Sequence, residues 1–294
     1  MPIPGPILER MRHESERPSS KGLINPSEGA PMVTINRVLP AADLAEVVTH
    51  FWIPRWSLPR GAEVTQRVLQ FPATNLVVDA DSCGLHGAVN HLRLHALSGT
   101  GWAIGALLRP GAARALLGSS AHSILNTQFP LTDPASLALA ETIRARSENN
   151  DACVAVIESW LRGRAALWSA EAARERTQVN QIIDRVRDDP TLLRVEALAA
   201  AAHVSPRTLQ RLLREHIGVT PKWVIQGFRL REAAHRLRDV RPPALSELAA
   251  SLGYADQAHF TRDFRAVLGE NPHNYRDQNA AGLAATAERR MRFS

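Results

Sequence analysis

Leu209-Gln-Arg-Leu-Leu213-Arg-Glu-His-Ile217-Gly218-Val-Thr220-Pro221 and Phe260-Thr-Arg-Asp-Phe264-Arg-Ala-Val-Leu268-Gly269-Glu-Asn271-Pro272 are one pattern written twice. Leu209 aligns with Phe260, Leu213 with Phe264, Ile217 with Leu268, Gly218 with Gly269 and Pro221 with Pro272, all at one constant offset. Upstream, Leu198-Ala199 aligns with Leu248-Ala249 at an offset one residue shorter, so the second copy has one extra residue in its turn. Apolar positions and punctuation repeat together. The stretch from Val195 to Arg276 therefore reads as two folded copies of one small motif.

Each copy predicts two helices joined by a tight turn. In the first, Val195 to Ala202 is a short helix, His203-Val204 the turn, and Ser205 the N-cap of a second helix opened by Pro206. A Ser oxygen can satisfy the free amides there, and Pro loses nothing at a position whose amide has no helical partner. Leu209, Leu212, Leu213 and Ile217 share one face at helical spacing, while Arg207, Gln210, Arg211 and Arg214 occupy the opposite one. Gly218 stops the helix, where a positive φ is wanted. In the second copy Leu245 to Leu252 is the first helix, Gly253 the turn, Asp256 the cap and Gln257 to Leu268 the second helix. Phe260, Phe264, Val267 and Leu268 face inward; Ala258, His259, Arg262 and Arg265 face out, with Gln257 and Thr261 at the margins.

A short helix, a tight turn and a second helix with a polar outer face make a helix-turn-helix, whose second helix fits a DNA major groove. Between the copies Thr220 caps a third helix, expected from Pro221 to Arg238 and so roughly 27 Å long at 1.5 Å per residue. That approaches the ~34 Å between successive major grooves on one DNA face. Arg207 and Arg211 can each offer a fork to guanine O6/N7, and Gln210 and Gln257 can pair with adenine N6/N7. The DNA-facing set is then Ser205, Arg207, Gln210, Arg211 and Arg214 in the first copy, with Gln257, Ala258, His259, Thr261 and Arg262 in the second. Each has a plainer reading. An outward Arg is ordinarily a solvated charge, Ser205 and Asp256 are caps before they are readers, and His259 can simply cover the helix edge. Arg214 and Arg265, a turn further on, suit the phosphate backbone or water better than bases.

The run Ser205-Pro-Arg-Thr-Leu-Gln-Arg-Leu-Leu-Arg, then Gly218-Val-Thr-Pro and Arg229-Leu-Arg-Glu-Ala233, resembles the DNA-binding domain of the AraC family of bacterial transcription regulators. So does Leu248-Ala-Ala-Ser-Leu-Gly-Tyr-Ala-Asp-Gln-Ala-His-Phe-Thr-Arg-Asp-Phe-Arg, closed by Gly269-Glu-Asn-Pro-His-Asn-Tyr-Arg276. The resemblance implies a two-motif binder of double-stranded DNA that recruits or blocks RNA polymerase. His203 departs from it, since such domains often carry Gly there; His tolerates the left-handed conformation better than most residues.

The other two thirds of the 294 residues hold a differently textured unit. Residues 1–29, rich in Pro, Arg, Glu and Ser, are expected to be a disordered lead. Residues 30–170 form the N-terminal domain, with strands expected at Val33–Val38, Val47–Trp52, Val64–Leu69, Asn75–Asp79, His91–Leu97 and Thr100–Leu107. Ala41 to His50 carries enough helix formers to compete with the second of these. Helices are expected over Ala112–Leu117, Pro134–Arg146 and Asp151–Trp168, and a linker at the charged stretch Glu171–Arg176. Residues 175–278 are the DNA-binding domain, with motifs at about 195–217 and 245–268, and 279–294 a flexible tail. Here too there is a resemblance. His50-Phe-Trp-Ile-Pro-Arg-Trp, Phe71-Pro-Ala-Thr-Asn-Leu-Val-Val and Gly99-Thr-Gly-Trp-Ala-Ile-Gly-Ala-Leu-Leu-Arg-Pro-Gly look like an N-terminal domain attached to a subset of AraC-type regulators.

Composition narrows the function classes. The net charge of +6 suits a polyanionic partner, and it is almost wholly Arg, with Lys only at Lys21 and Lys222. The two cysteines, Cys83 and Cys153, argue against a disulfide framework and fit a reducing cytoplasm. No apolar run reaches the ~18 residues of a membrane span, and no signal peptide is indicated. His86, His91 and His95 raise the question of a metal, but on one strand His91 and His95 would stand ~13 Å apart. One ion with ~2 Å bonds cannot bridge that. No cofactor, metal or catalytic constellation is therefore assigned. Trp52, Trp56 and Trp102 are core residues first; an effector pocket would lie at these aromatics and Arg55, Arg93 or Arg109.

The expected architecture is α+β: a mixed, β-rich sensory domain, then an all-α DNA-binding domain with two helix-turn-helix motifs joined by a linker helix. The expected function is a cytoplasmic, sequence-specific transcription regulator and not an enzyme. Expected partners are DNA and RNA polymerase, with a small-molecule effector and a homodimer both open. An enzyme or a ligand-independent architectural protein tethered to DNA by the same module is the alternative.

Overall fold

Short runs of β-branched and aliphatic residues broken by Pro, Gly and Asp build the N-terminal half as antiparallel sheet. The computed structural model describes residues 23–24, 33–68, 72–239 and 241–277. Within them lie strands β1 (Leu23–Ile24), β2 (Val33–Val38), β3 (Val48–Ser57), β4 (Glu63–Val68), β5 (Asn75–Asp79), β6 (Cys83–His86), β7 (Arg93–Ser98), β8 (Thr100–Leu108) and β9 (Gln128–Pro130). The larger sheet has the order β2-β3-β8-β5-β6-β9 and the smaller β1-β4-β7. Helices α1 (Ala113–Leu117), α2 (Pro134–Ala145) and α3 (Asn150–Ala165) complete this half. Leu139, Ile143, Ile157 and Leu161 of α2 and α3 close over Phe51, Ile53, Leu76, Val78, Leu85 and Ile104 of the larger sheet. Each such side chain, fully buried, contributes about 1.5–3 kcal/mol.

Strand β3 runs well past the expected end at Trp52, through Pro54 to Ser57. Pro tolerates the position because the ladder to β8 pairs Trp52 with Gly105 and resumes only at Arg55 with Trp102. The helical alternative over Ala41–His50 shrinks to one 3-10 turn, Ala42–Leu44. Strands β6 and β9 are additional to those expected. Part of the lead is also strand, since Leu23 and Ile24 pair with Val68 and Arg67; the remainder of the lead, and the tail beyond residue 277, lie outside the described residues.

The expected linker is not a linker. Glu171–Arg176 falls in the first turns of α4 (Ala170–Asp188), whose N-cap Ser169 accepts from the Ala172 amide at 3.1 Å. Glu171 and Arg174 are exposed and Glu175 and Arg176 half-buried, while Val179, Ile182, Ile183 and Val186 follow at i, i+3, i+4 and i+7 and are buried. Those four residues pack with Leu198, Leu209, Leu212 and Leu213, so α4 is built into the core of the C-terminal half. That half continues with α5 (Val195–Ala201), α6 (Pro206–His216), α7 (Pro221–Arg236), α8 (Leu245–Ser251) and α9 (Gln257–Leu268).

Helix α4 also holds the two halves together. Asn180, 1% exposed, accepts from the Gly111 amide at 2.9 Å and donates to the Glu46 carbonyl at 3.1 Å. A side chain at Gly111 would overlap the backbone of Arg176, so only Gly allows this approach. Arg109 forks onto Asp184 at 3.1 and 2.6 Å. Ala88 and Leu125 of the N-terminal half join the core around α4 and α6.

Candidate nucleic-acid interface

The turns of the two motifs are made by the same backbone bonds. The Val204 amide donates to Ala199 O at 3.0 Å, and the Tyr254 amide to Ala249 O at 3.0 Å. His203 with φ 54° stands where Gly253 stands with φ 74°. The left-handed turn is thus kept in the first copy by a residue that tolerates it. Ser205 Oγ accepts from the Thr208 amide at 3.1 Å, and Asp256 Oδ1 from the His259 amide at 2.7 Å. The cap assignments hold.

Above the caps the faces divide as the spacing requires. In α6, Leu209, Leu212 and Leu213 are buried, and Ser205, Arg207, Gln210, Arg211 and Arg214 are exposed. In α9, Phe260, Phe264 and Leu268 are buried, Gln257, Ala258, His259, Arg262 and Arg265 are exposed, and Thr261 is half-buried. Arg207, Gln210, Arg214 and Arg262 pair with no other side chain among the described residues, leaving their donors open to a ligand. Tyr254, Phe260, Phe264 and Tyr275 form an aromatic chain beneath α9, with successive centroids 5.4, 5.5 and 5.5 Å apart.

Several residues at these helices escaped the sequence reading. Gln226 of α7 donates to Asp263 of α9 at 2.6 Å, fixing the second outer helix to the rod between the motifs. His259 lies 3.5 Å from the same carboxylate, with its ring edge-on to Tyr254 at 5.2 Å. Burial and the nearby Asp263 charge push the Tyr254 hydroxyl well above its ordinary range. In the first motif Arg211 is shared between Glu175 of α4 at 3.5 Å and Glu215 of α6 at 3.4 Å. The second pair is an i, i+4 contact visible in sequence; the first joins distant segments and is not. Burial raises the Glu175 carboxyl, but its bond to His216 and the charges of Arg114 and Arg211 outweigh that and hold it below the ordinary value.

The aromatics and cations considered for a pocket mostly have structural partners. The Trp52 and Trp56 rings lie over Gly105 and Gly101, where any Cβ would overlap an indole. Their Nε1 groups donate to Asn75 at 3.0 Å and to Ser98 O at 3.1 Å. Trp102 packs partly buried against the core of the larger sheet. Arg55 binds Ser147 O and Asn150, and Arg109 binds Asp184; Arg93 lies on β7. His86 is on the larger sheet, His95 on the smaller, and His91 precedes β7.

Comparison with known proteins agrees with this geometry. A family described as a helix-turn-helix domain matches residues 198–278. The transcriptional activator RhaS of Escherichia fergusonii is 38% identical over 88 residues, which are 30% of this chain and 31% of that protein. The C-terminal domain is of the AraC type. The transcriptional regulator GlxA of Rhizobium meliloti is 35% identical over 85 residues, 29% of this chain and 26% of its own length. The AraC-type match thus spans about a third of these relatives or less. A domain of unknown function (DUF6597) matches residues 36–130. Among solved structures, the C-terminal domain of AraT from Geobacillus stearothermophilus is similar at 26% identity and a TM-score of 0.29, over 33% of this chain and 84% of that one. Among the described residues no helix is long and apolar enough to cross a membrane.

Proposed function

We propose that the chain is a sequence-specific DNA-binding transcription regulator whose helices α6 and α9 enter successive major grooves. The observation that carries this is the pair of matched turns, each presenting a capped helix with outward Arg or Gln side chains, Arg207, Gln210 and Arg262 among them, that pair with no other side chain among the described residues. In this reading Arg207, Gln210 and Arg211 face base edges on one half-site and Gln257, His259 and Arg262 on the other. Ser205, Ala258 and Thr261 line the approach, and Arg214 and Arg265 meet phosphate. The 16 residues of α7 span about 24 Å. A reading helix about 10 Å across at each end brings the axes to about the ~34 Å groove spacing. The N-terminal domain senses a small-molecule effector or pairs two copies, and the DNA-bound protein acts on RNA polymerase.

The test is selection of bound sequences from a random duplex pool by the full chain, followed by footprinting on the selected site. Two protected major-groove segments about one helical turn apart on one face are expected from a single chain. One short protected segment would remove α9 from the reading. No selection at all would remove the function.

A further inference from the structure

Arg114 projects from α1 of the N-terminal domain onto two carboxylates beside the first outer helix. It lies 2.5 Å from Glu175 and 3.2 Å from Glu215. Arg211 reaches the same two carboxylates, at 3.5 and 3.4 Å. The shorter contacts belong to Arg114 and the longer to Arg211, whose side chain is 48% exposed. His216, 2% exposed, meets the same Glu175 oxygen as Arg114, at 3.3 Å, and its other ring nitrogen lies 3.0 Å from the Gly111 carbonyl, which fixes the ring.

Charge balance then decides what Arg211 can do. With Arg114 in place, two carboxylates face two guanidiniums, and Arg211 can leave for a base or phosphate while a cation stays behind. Without Arg114, both carboxylates turn to Arg211, which fits between them at i, i+4 on its own helix and across to α4. Any DNA phosphate approaching would also meet a site where two carboxylates outnumber the one remaining guanidinium. We infer that Arg114 is a positioning residue for DNA recognition: it neutralises Glu175 and Glu215 so that Arg211 is released to the operator, and docking of α1 against α6 thereby favours the DNA-binding state. This rests on the function proposed above. It gives the N-terminal domain a direct hold on affinity, because any movement that withdraws α1 returns Arg211 to the carboxylates.

The experiment compares full-length variants on the duplex selected by the wild-type chain and on random duplex. Arg114→Ala is expected to weaken binding to the selected duplex about three- to tenfold, the size of a partly exposed ionic coupling. Adding Glu215→Gln to that variant should restore most of the loss, which a merely structural role for Arg114 would not allow. Arg109→Ala breaks a separate ion pair between the halves, with Asp184, and should leave binding to the selected duplex unchanged. Equal affinity of Arg114→Ala and wild type would overturn the inference, as would tighter binding, which would make the contact inhibitory. A loss not rescued by Glu215→Gln, or matched by Arg109→Ala, would also overturn it in favour of general loosening of the interface. Should Arg114→Ala fail to fold, Glu215→Gln alone in the otherwise wild-type chain carries the test: tighter binding supports the inference and no change overturns it. Wild-type protein that selects no sequence would sink the proposed function itself, whereas selection by wild type that Arg207→Ala weakens more than it weakens binding to random duplex keeps that reading secure whatever Arg114 does.

Discussion

The two helix-turn-helix motifs share turn bonds, caps and facing, yet they differ in what lies behind them. The first is embedded: α4, the Gly111 segment and the 3-10 turn Ala121–Ile124 all pack against α6, and the Gly218 carbonyl lies 2.9 Å from His122 Nδ1. The second stands on its own aromatic core and is tied to the rod α7 through Gln226 and Asp263. It meets the N-terminal half at Leu92, which lies against Gly269. A duplicated sequence has therefore acquired two mechanical roles. The first motif meets the N-terminal domain through helices, hydrogen bonds and ion pairs; the second meets it at Leu92 and is otherwise tied to the rod.

The largest break in the comparison comes from the second motif's core. Phe264 is fully buried between Phe260 and Tyr275, and Phe264→Ala is expected to cost about 3–5 kcal/mol. Because the first motif has a separate core around α4, the loss should fall on the second. Footprints on the selected duplex should keep one protected segment and lose the other. If both vanish together while the N-terminal domain stays folded, the two cores are one cooperative unit and the contrast drawn above fails.

Next in size is base reading. Arg207→Ala and Arg262→Ala should each lose about 1–3 kcal/mol on the selected duplex and much less on random DNA. Competition binding with both duplexes decides it. Equal losses on the two would reduce either residue to a phosphate contact. A loss for Arg207 but none for Arg262 would sharpen the comparison, leaving the embedded motif as the reader and the other as a clamp.

Smaller again is the tie between rod and second motif. Gln226→Ala removes the 2.6 Å bond to Asp263 and is expected to cost about 1 kcal/mol of stability. It should also shift the phasing of the second footprint against the first, since this bond fixes the outer helix against α7. An unchanged footprint would mean that packing of α7 on the Phe260 core sets the spacing alone.

The C-terminal half was legible because its signals repeat: two caps, two left-handed turns, two glycine stops and two apolar stripes all fell at matching positions. Helix α9 occupies the expected Gln257–Leu268, and His203 takes the positive φ its place in the repeat demands. Helix α4 was obscured because Glu171 to Arg176 looks like any charged connector until the stripe from Val179 to Val186 is counted with it. Strands β6 and β9 hold four and three residues, too few for alternation to show. A Cβ at Gly84 would stand 2.8 Å from Phe129 O, so glycine is what lets β9 pair. The Glu175 cluster had no sequence signal beyond Arg211 and Glu215. Its members come from α1, α4 and α6, and only the fold brings them together.

The smallest expected effect distinguishes the embedded motif by its charges. The Glu175 carboxyl is held below its ordinary value in the folded chain. A carboxylate with a depressed folded pKa stabilises the fold above its unfolded value, about 4.3, and that contribution is lost as pH falls through the folded value. Glu175→Gln should therefore be less stable than wild type at pH 7, by up to about 1 kcal/mol given the partial exposure of its partners. The gap should narrow below about pH 4.3 and close as Glu175 becomes protonated in the folded wild type as well. Asp43 and Asp133 are also depressed, by Arg162 and by Ser136 with Arg164 respectively, but they are present in both proteins and cancel in the difference. Denaturant midpoints of the pair at several pH values measure it. A gap that persists unchanged into acid would assign the role of Glu175 to shape and hydrogen bonding, and the charge balance around Arg211 would rest on Glu215 alone.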